Sequence, residues 1–347
     1  MEKRNLNLDL IRLVAALAVI LTHTSALVVS SNRAMTLDFW IGDFFDSLSR
    51  LGVILFVMVT GALMLDEERE MSLKKIYGKK VVHMIALTFF WALVYAGVYY
   101  VILPNLFGDA VSSESFVYHF FKGHYHMWYL YMLIGLYLVT PFLRAFAKKD
   151  KPELVLLFIL LADFSQFLKS IIKAVRLVWP NANYALMVLD QLSLDFFAGF
   201  TACYLLGWYL VHVGLKTQQA RVGLFVTGAV ALLVTFLYVG ITGDYKNGYS
   251  NFNILIFIYA ASAFELLHAL PLALSEGLER WLVSLSNLSF GVYIVHPMVL
   301  SFVMTFIVTD LGALTSIVLW TILVTLLSFA LTFVLSKTFF VRKTMRM

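Results

Sequence analysis

Ten long apolar runs, parted by short polar and basic segments, make up most of the chain: residues 7–29, 48–65, 81–103, 126–145, 154–172, 192–211, 222–241, 253–271, 282–308 and 312–336. A bilayer crossing needs roughly 20 apolar residues in a helix. The pattern therefore predicts an all-α integral membrane protein with about ten transmembrane helices, forming a single polytopic domain over residues 1–347. The fifth run is the most diluted, by Asp163, Gln166 and Lys169. An even number of crossings puts both termini on one side.

Composition agrees with the pattern. The chain is 61% hydrophobic and 14% charged, against about 25% charged in a soluble domain. Apolar surface on this scale cannot hide in one globular core, so lipid must be the second solvent. Lys3 and Arg4 before an apolar stretch resemble a secretory signal, but Asp9, Arg12 and His23 interrupt it and no small-residue cleavage site follows, so a retained first helix is expected. A net charge of +5 suggests nucleic acid only until the charges are placed. With the N-terminus inside, 18 of the 26 Lys and Arg residues fall in inner segments and 5 in outer loops. This bias predicts cytoplasmic termini and no nucleic-acid partner. The lone Cys203 excludes a disulfide framework and a thiolate metal cluster.

The longest outer loops, about 104–125 and 173–191, are rich in aromatic, His and Asn residues, among them Tyr118, His119, His124, Tyr125, Trp179 and Tyr184. Two readings stand: a sugar-binding rim, or an interfacial aromatic belt.

Charge inside a membrane helix is costly and marks pairing or function. In the first run Arg12 and His23 are eleven residues apart, so they share a face and lie about 16 Å apart along the axis. Asp9, three residues before Arg12, joins that face. The same residues also fit a packed Asp9–Arg12 ion pair with His23 as a hydrogen-bonded helix contact. The ninth run is unusually polar, with Ser286, Asn287, Ser289, Gly291, Tyr293 and His296. Counted from the inner ends, His23 lies about 24 Å and His296 about 21 Å up the bilayer, and His126 and Trp128 reach a similar level. No further ligand stands at metal spacing beside these histidines, so no metal is expected. Asp195 is expected to pair with Arg50 or Lys169, Glu265 and His268 to be interfacial near the inner end, and His83 to be structural. Gly52, Thr60 and Gly61 permit close helix approach.

These residues resemble the acyltransferase-3 family of membrane acyltransferases. Arg12 and His23 stand within "LDLIRLVAALAVILTHT". Three further blocks follow in the family's order: Arg50 to Leu65, His126 to Arg144, and Leu288 to Leu300. Two departures stand out. The second block reads Thr60-Gly61 where Ser-Gly is frequent, and Met132–Gly135 supplies no glutamate in the third. That absence resembles the branch of enterobacterial-common-antigen O-acetyltransferases and intercellular-adhesin-type proteins, and a stand-alone membrane unit is expected.

The resemblance implies an acyl-CoA-dependent acyltransferase in the bacterial cytoplasmic membrane. It would move an acyl group, usually acetyl, from cytoplasmic acetyl-CoA to a hydroxyl of a cell-surface or lipid-linked glycan. His23 is the implied general base or acyl carrier, with Arg12 and Asp9 at the CoA. Thr60, His126, Trp128, Tyr293 and His296 are candidates for orienting the acceptor or the oxyanion. Partners are then acyl-CoA, the glycan and membrane lipid, and apolar helix faces allow a homodimer. The rival class is a transporter or flippase for a polysaccharide or lipid-linked sugar. Against it, no paired Gly/Pro-broken helices and no inverted repeat are seen.

Overall fold

Several helices begin where the sequence offers a short polar side chain to the unpaired amides of a first turn. In the computed structural model, which describes residues 4–104, 113–176, 178–192, 199–306 and 311–337, Asn5 caps α1 (Leu6–Ser31) and Thr36 caps α2 (Leu37–Ser49). After α3 (Gly52–Met64), Ser72 opens α4 (Leu73–Ile102), whose turns widen to π-helix at Ile76–Val81 and Val98–Ile102. Then come α5 (Ser113–Lys122), α6 (Trp128–Phe146), α7 (Pro152–Val175), α8 (Asn183–Gln191) and α9 (Phe200–His212). Thr217 caps α10 (Gln218–Thr242), Asn253 caps α11 (Ile254–His268), and α12 (Glu276–Phe306) and α13 (Ala313–Leu335) complete the chain. No strand occurs among the described residues.

Each expected apolar run contains a helix. Eight helical stretches among the described residues are long and apolar enough to cross a bilayer. The other two, α9 and α11, have 13 and 15 residues, and residues 193–198 of the run leading into α9 lie outside the described part. The second crossing is longer than the sequence predicted: α2 and α3 together fill Leu37–Met64. Asp38, Asp43 and Asp46 hid its first half. The last two turn inward, where Asp43 accepts hydrogen bonds from Ser47 and Tyr249, and Asp46 one from Arg50 at 2.7 Å.

The chain forms two compact units, one running to Asp66 and resuming at Phe146, the other spanning Glu67–Ala145. In the larger unit α1 is the hub, packed against α2, α3, α12 and α13. Ile20 and Val28 of α1, Val292 and Val299 of α12, and Ile317 and Val324 of α13 form one apolar cluster. In lipid such clusters are held by close packing rather than by escape from water. Packing is closest where α3 crosses α9: a Cβ on Gly61 would meet the Tyr204 carbonyl oxygen at 1.9 Å, and one on Gly207 the Met58 oxygen at 1.9 Å. Gly52 lies less tightly on α1, where a Cβ would meet Ala15 and Val19 at 3.0 Å. These glycines lock α3 between α1 and α9. On α13, Leu314, Val318, Ile322 and Leu326 are exposed at four-residue spacing, a stripe suited to lipid.

Glu265 is buried and accepts from Arg221 Nε at 3.0 Å, joining the start of α10 to the end of α11. His268, beside it, stacks on Phe264. Asp195 lies outside the described residues. The partners expected for it are engaged elsewhere, Arg50 with Asp46 and Lys169 with Asp190.

In the smaller unit, tyrosines of α4 stack on histidines around α5 and the turn before α6. Ring centroids are 4.6 Å apart for Tyr95 and His124 and 3.8 Å for Tyr100 and His119. His126 is buried, with its Nδ1 at 3.1 Å from His124 Nδ1, so one of the two carries the proton and the other accepts. Burial, with the neighbouring His119, pushes His124 down to about 4. The loop aromatics Tyr118, Tyr125, Trp128, Trp179 and Tyr184 are exposed.

Candidate active site

The first turn of α1 sets the site. Ahead of it, Arg4 reaches back to Asp9 with both arms of its fork, Nε to Oδ2 at 2.6 Å and Nη2 to Oδ1 at 2.7 Å. The same Nη2 donates to Asn287 Oδ1 at 2.9 Å, and Ser286 Oγ donates to Asp9 Oδ1 at 2.7 Å. Asp9 is thereby buried with its charge satisfied, and α1 is pinned to α12. Asn7 adds a second anchor by donating to the Leu267 and Leu270 carbonyls at the end of α11, both at 2.9 Å.

Arg12 sits 3.8 Å from Asp9, a loose ion pair, because Arg4 holds the carboxylate. The expected Asp9–Arg12 pairing is thus secondary. Arg4, read in the sequence only as an orienting charge, is the main partner. The pair escapes helical spacing rules because Arg4 precedes the helix. Arg12 instead faces a cavity of about 310 Å³, lined by Arg4, Arg12, Phe56, Thr60, Ser286 and Ser289 together with Asn287 and Phe290. Among the described residues, two guanidiniums and the Asp9 carboxylate meet at this cavity. Thr60 lies in its wall, its hydroxyl donating to the Phe56 carbonyl at 2.7 Å.

From the cavity, α1 and α12 run side by side in the same direction, Asp9 against Ser286 and, further along, His23 against His296. The two imidazoles stack with centroids 5.2 Å apart and planes at 25°. The sequence placed them at matching depth, and the structure brings them into contact. Tyr293 stands between the cavity and this pair, with ring contacts to Phe56 at 6.0 Å and to His296 at 5.8 Å. His296 is fully buried whereas His23 is only partly buried.

The orientation of His296 follows from its neighbour. Pro297 lies inside α12 and has no N–H, so the Tyr293 carbonyl four residues back loses its helical donor. His296 Nδ1 lies 2.6 Å from that oxygen. A carbonyl only accepts, so Nδ1 carries a proton at this contact. The His-Pro dipeptide therefore sets both the Nδ1 proton and the ring position.

Tyr293, His296 and His23 form one group, and Arg12, Asp9 and Thr60 another at the cavity. His126 and Trp128 belong to the smaller unit. No group of three or more His, Cys, Asp or Glu suited to a metal occurs among the described residues. A protein-family model described as an acyltransferase domain matches residues 5–337. No curated protein and no solved structure matches the chain.

Proposed function

The chain belongs to the acyltransferase-3 family and is a multi-pass membrane acyltransferase, and from that premise we propose that it carries an acyl group from cytoplasmic acyl-CoA to a glycan hydroxyl on the outer side of a bacterial cytoplasmic membrane. The observation that supports this reading is the shared α1–α12 seam, which holds a cavity lined by Arg4 and Arg12 and, further along, the His23–His296 stack. Guanidiniums suit CoA phosphates because their fork matches phosphate oxygens. The Lys/Arg bias of the sequence puts the cavity end in the cytoplasm. Eleven residues of α1 then separate Arg12 from His23 by about 16 Å, a span that an extended pantetheine arm would follow.

At the far end His23 takes the proton of the acceptor hydroxyl as its oxygen attacks the thioester carbonyl. The C–S bond breaks, and the proton passes to the departing CoA sulfur. In the two-step form, the His23 nitrogen first takes the acyl group from the thioester and then gives it to the hydroxyl. His296 positions His23 through the stack, with its own proton tied to Tyr293.

His23→Ala is expected to abolish transfer of label from acetyl-CoA while the purified protein stays monodisperse and keeps its melting temperature. Arg12→Ala should raise the acetyl-CoA KM about tenfold, the worth of one charge-assisted contact. Full transfer by the His23 variant would overturn the reading.

A further inference from the structure

Four polar residues in a row, Thr22, His23, Thr24 and Ser25, stand within α1, where lipid offers a hydroxyl no partner. Ser25 returns its hydroxyl to its own turn, to the Leu21 carbonyl at 2.7 Å and the Thr22 carbonyl at 3.3 Å. The two threonines reach further. Thr22 donates to Ser49 Oγ of α2 at 2.9 Å, and Ser49 donates in turn to the Asp46 carbonyl at 3.1 Å. Thr24 donates to the Leu21 carbonyl at 3.0 Å, so in its 2.7 Å contact with Thr321 of α13 it is the acceptor. Each threonine thus belongs to a short chain of hydroxyls that crosses between helices and ends on a carbonyl, which fixes the direction of every bond.

Successive residues of an α-helix are turned by about 100°. Thr22 and Thr24 therefore stand about 100° to either side of His23. One is held by α2 and the other by α13, while the His296 ring of α12 stacks on the imidazole itself. Bonds on opposite flanks resist rotation of α1 about its axis. At an outer radius of about 5.5 Å, a turn of about 20° carries a side chain sideways by about 2 Å. A misplacement of about 1 Å at a reacting group costs up to about 100-fold in rate. For stability the same bonds count for little, because hydrogen bonds between helices in lipid are weak on average. Valine would fill nearly the same space at either threonine and bring no hydroxyl to satisfy. The hydroxyls are thus explained better by where they hold the ring than by how firmly they hold the helices.

We propose that Thr22 and Thr24 are positioning residues: through Ser49 and Thr321 they fix the rotation of α1, and with it the place of the His23 ring against His296. The kinetic consequence rests on the acyl transfer proposed above. The placement of the ring does not, and is read apart from it.

The test uses Thr22→Val and Thr321→Val in the full-length protein, which remove the donating hydroxyls and leave Ser49 and Thr24 bonded to their carbonyls. Each should lower kcat for transfer of label from acetyl-CoA about tenfold, with KM within about twofold and the melting temperature retained. Thr22→Ser and Thr321→Ser should restore kcat. Carbethoxylation of His23 by diethyl pyrocarbonate, followed on the His23 peptide by mass, reports the ring's place without turnover. It should quicken severalfold in both valine variants as the stack loosens. Unchanged carbethoxylation in both would overturn the proposal whatever kcat does. In an active parent, so would an unchanged kcat, or a fall that serine leaves unrepaired or that comes with a matching rise in KM. A parent that transfers no label would defeat the proposed function alone, and the carbethoxylation rates would then decide the placement by themselves.

Discussion

Pro297→Ala separates stability from catalysis at the histidine pair. The change supplies an N–H at position 297, aimed at the Tyr293 carbonyl that His296 Nδ1 now occupies at 2.6 Å. A proline inside a helix costs about 3 kcal/mol relative to alanine, and the substitute bond from His296 offsets about 1 kcal/mol of this. The variant should therefore be as stable as the parent or more so, by up to about 2 kcal/mol. His296, however, loses its fixed Nδ1 proton and ring position. Releasing one oriented imidazole of about 1–1.5 kcal/mol from its hold corresponds to roughly a tenfold fall in kcat. The acetyl-CoA KM should stay put, since the cavity at Ser286 lies about 15 Å earlier along α12. Steady-state transfer from labelled acetyl-CoA, with thermal unfolding of the same preparation in detergent, reads both quantities. An undiminished kcat, or a loss confined to KM, would refute the proline-set orientation as a working part of the site.

Three further outcomes are expected. Gly61→Ala sets a methyl 1.9 Å from the Tyr204 carbonyl and should lower stability by about 2–3 kcal/mol, whereas Gly135→Ala, with nothing within 4 Å, should be neutral in the same melting assay. Arg4→Gln removes the main partner of Asp9 and should draw Arg12 onto the carboxylate from 3.8 Å, raising the acetyl-CoA KM about tenfold with kcat within about twofold; an unchanged KM would count against Arg12 facing the donor. His124 is pushed down to about 4 in the folded smaller unit, against about 6.5 when unfolded, so protons bind the unfolded chain first. Stability is complete above about pH 6.5 and falls as the pH drops toward 4; the protection factors of residues 116–131, taken relative to intrinsic exchange at each pH, should fall over that window, and His124→Phe should flatten the dependence.

Much of this was legible along the chain. Apolar runs located the helices, since length and hydropathy dominate in lipid, and helical geometry placed Asp9, Arg12 and His23 on one face. The pairing of His23 with His296 was foreshadowed by depth, although contact required the packing of α1 on α12. What escaped is what depends on partners distant in sequence or outside a helix. Arg4 lies before α1 and obeys no i, i+3 or i, i+4 spacing with Asp9. Aspartates 43 and 46 made α2 look like a loop because hydropathy cannot know that Tyr249 and Arg50 will satisfy them. The short α8, which brings Asp190 to Lys169, sits in a stretch read as a loop.

The aspartates of α2 also bear on how the protein comes to be made. Asp46 finds Arg50 one turn away, but the tyrosine that bonds Asp43 lies 206 residues further along. While the ribosome has yet to reach that tyrosine, Asp43 meets the membrane without it, at a cost of about 2.5–3.5 kcal/mol for an aspartate at mid-helix. The thirteen residues of α2 thus gain their full hold in the bilayer only after α10 has been synthesised and its following turn delivered. The second crossing in order of sequence is, by this bond, among the last to be secured in order of assembly.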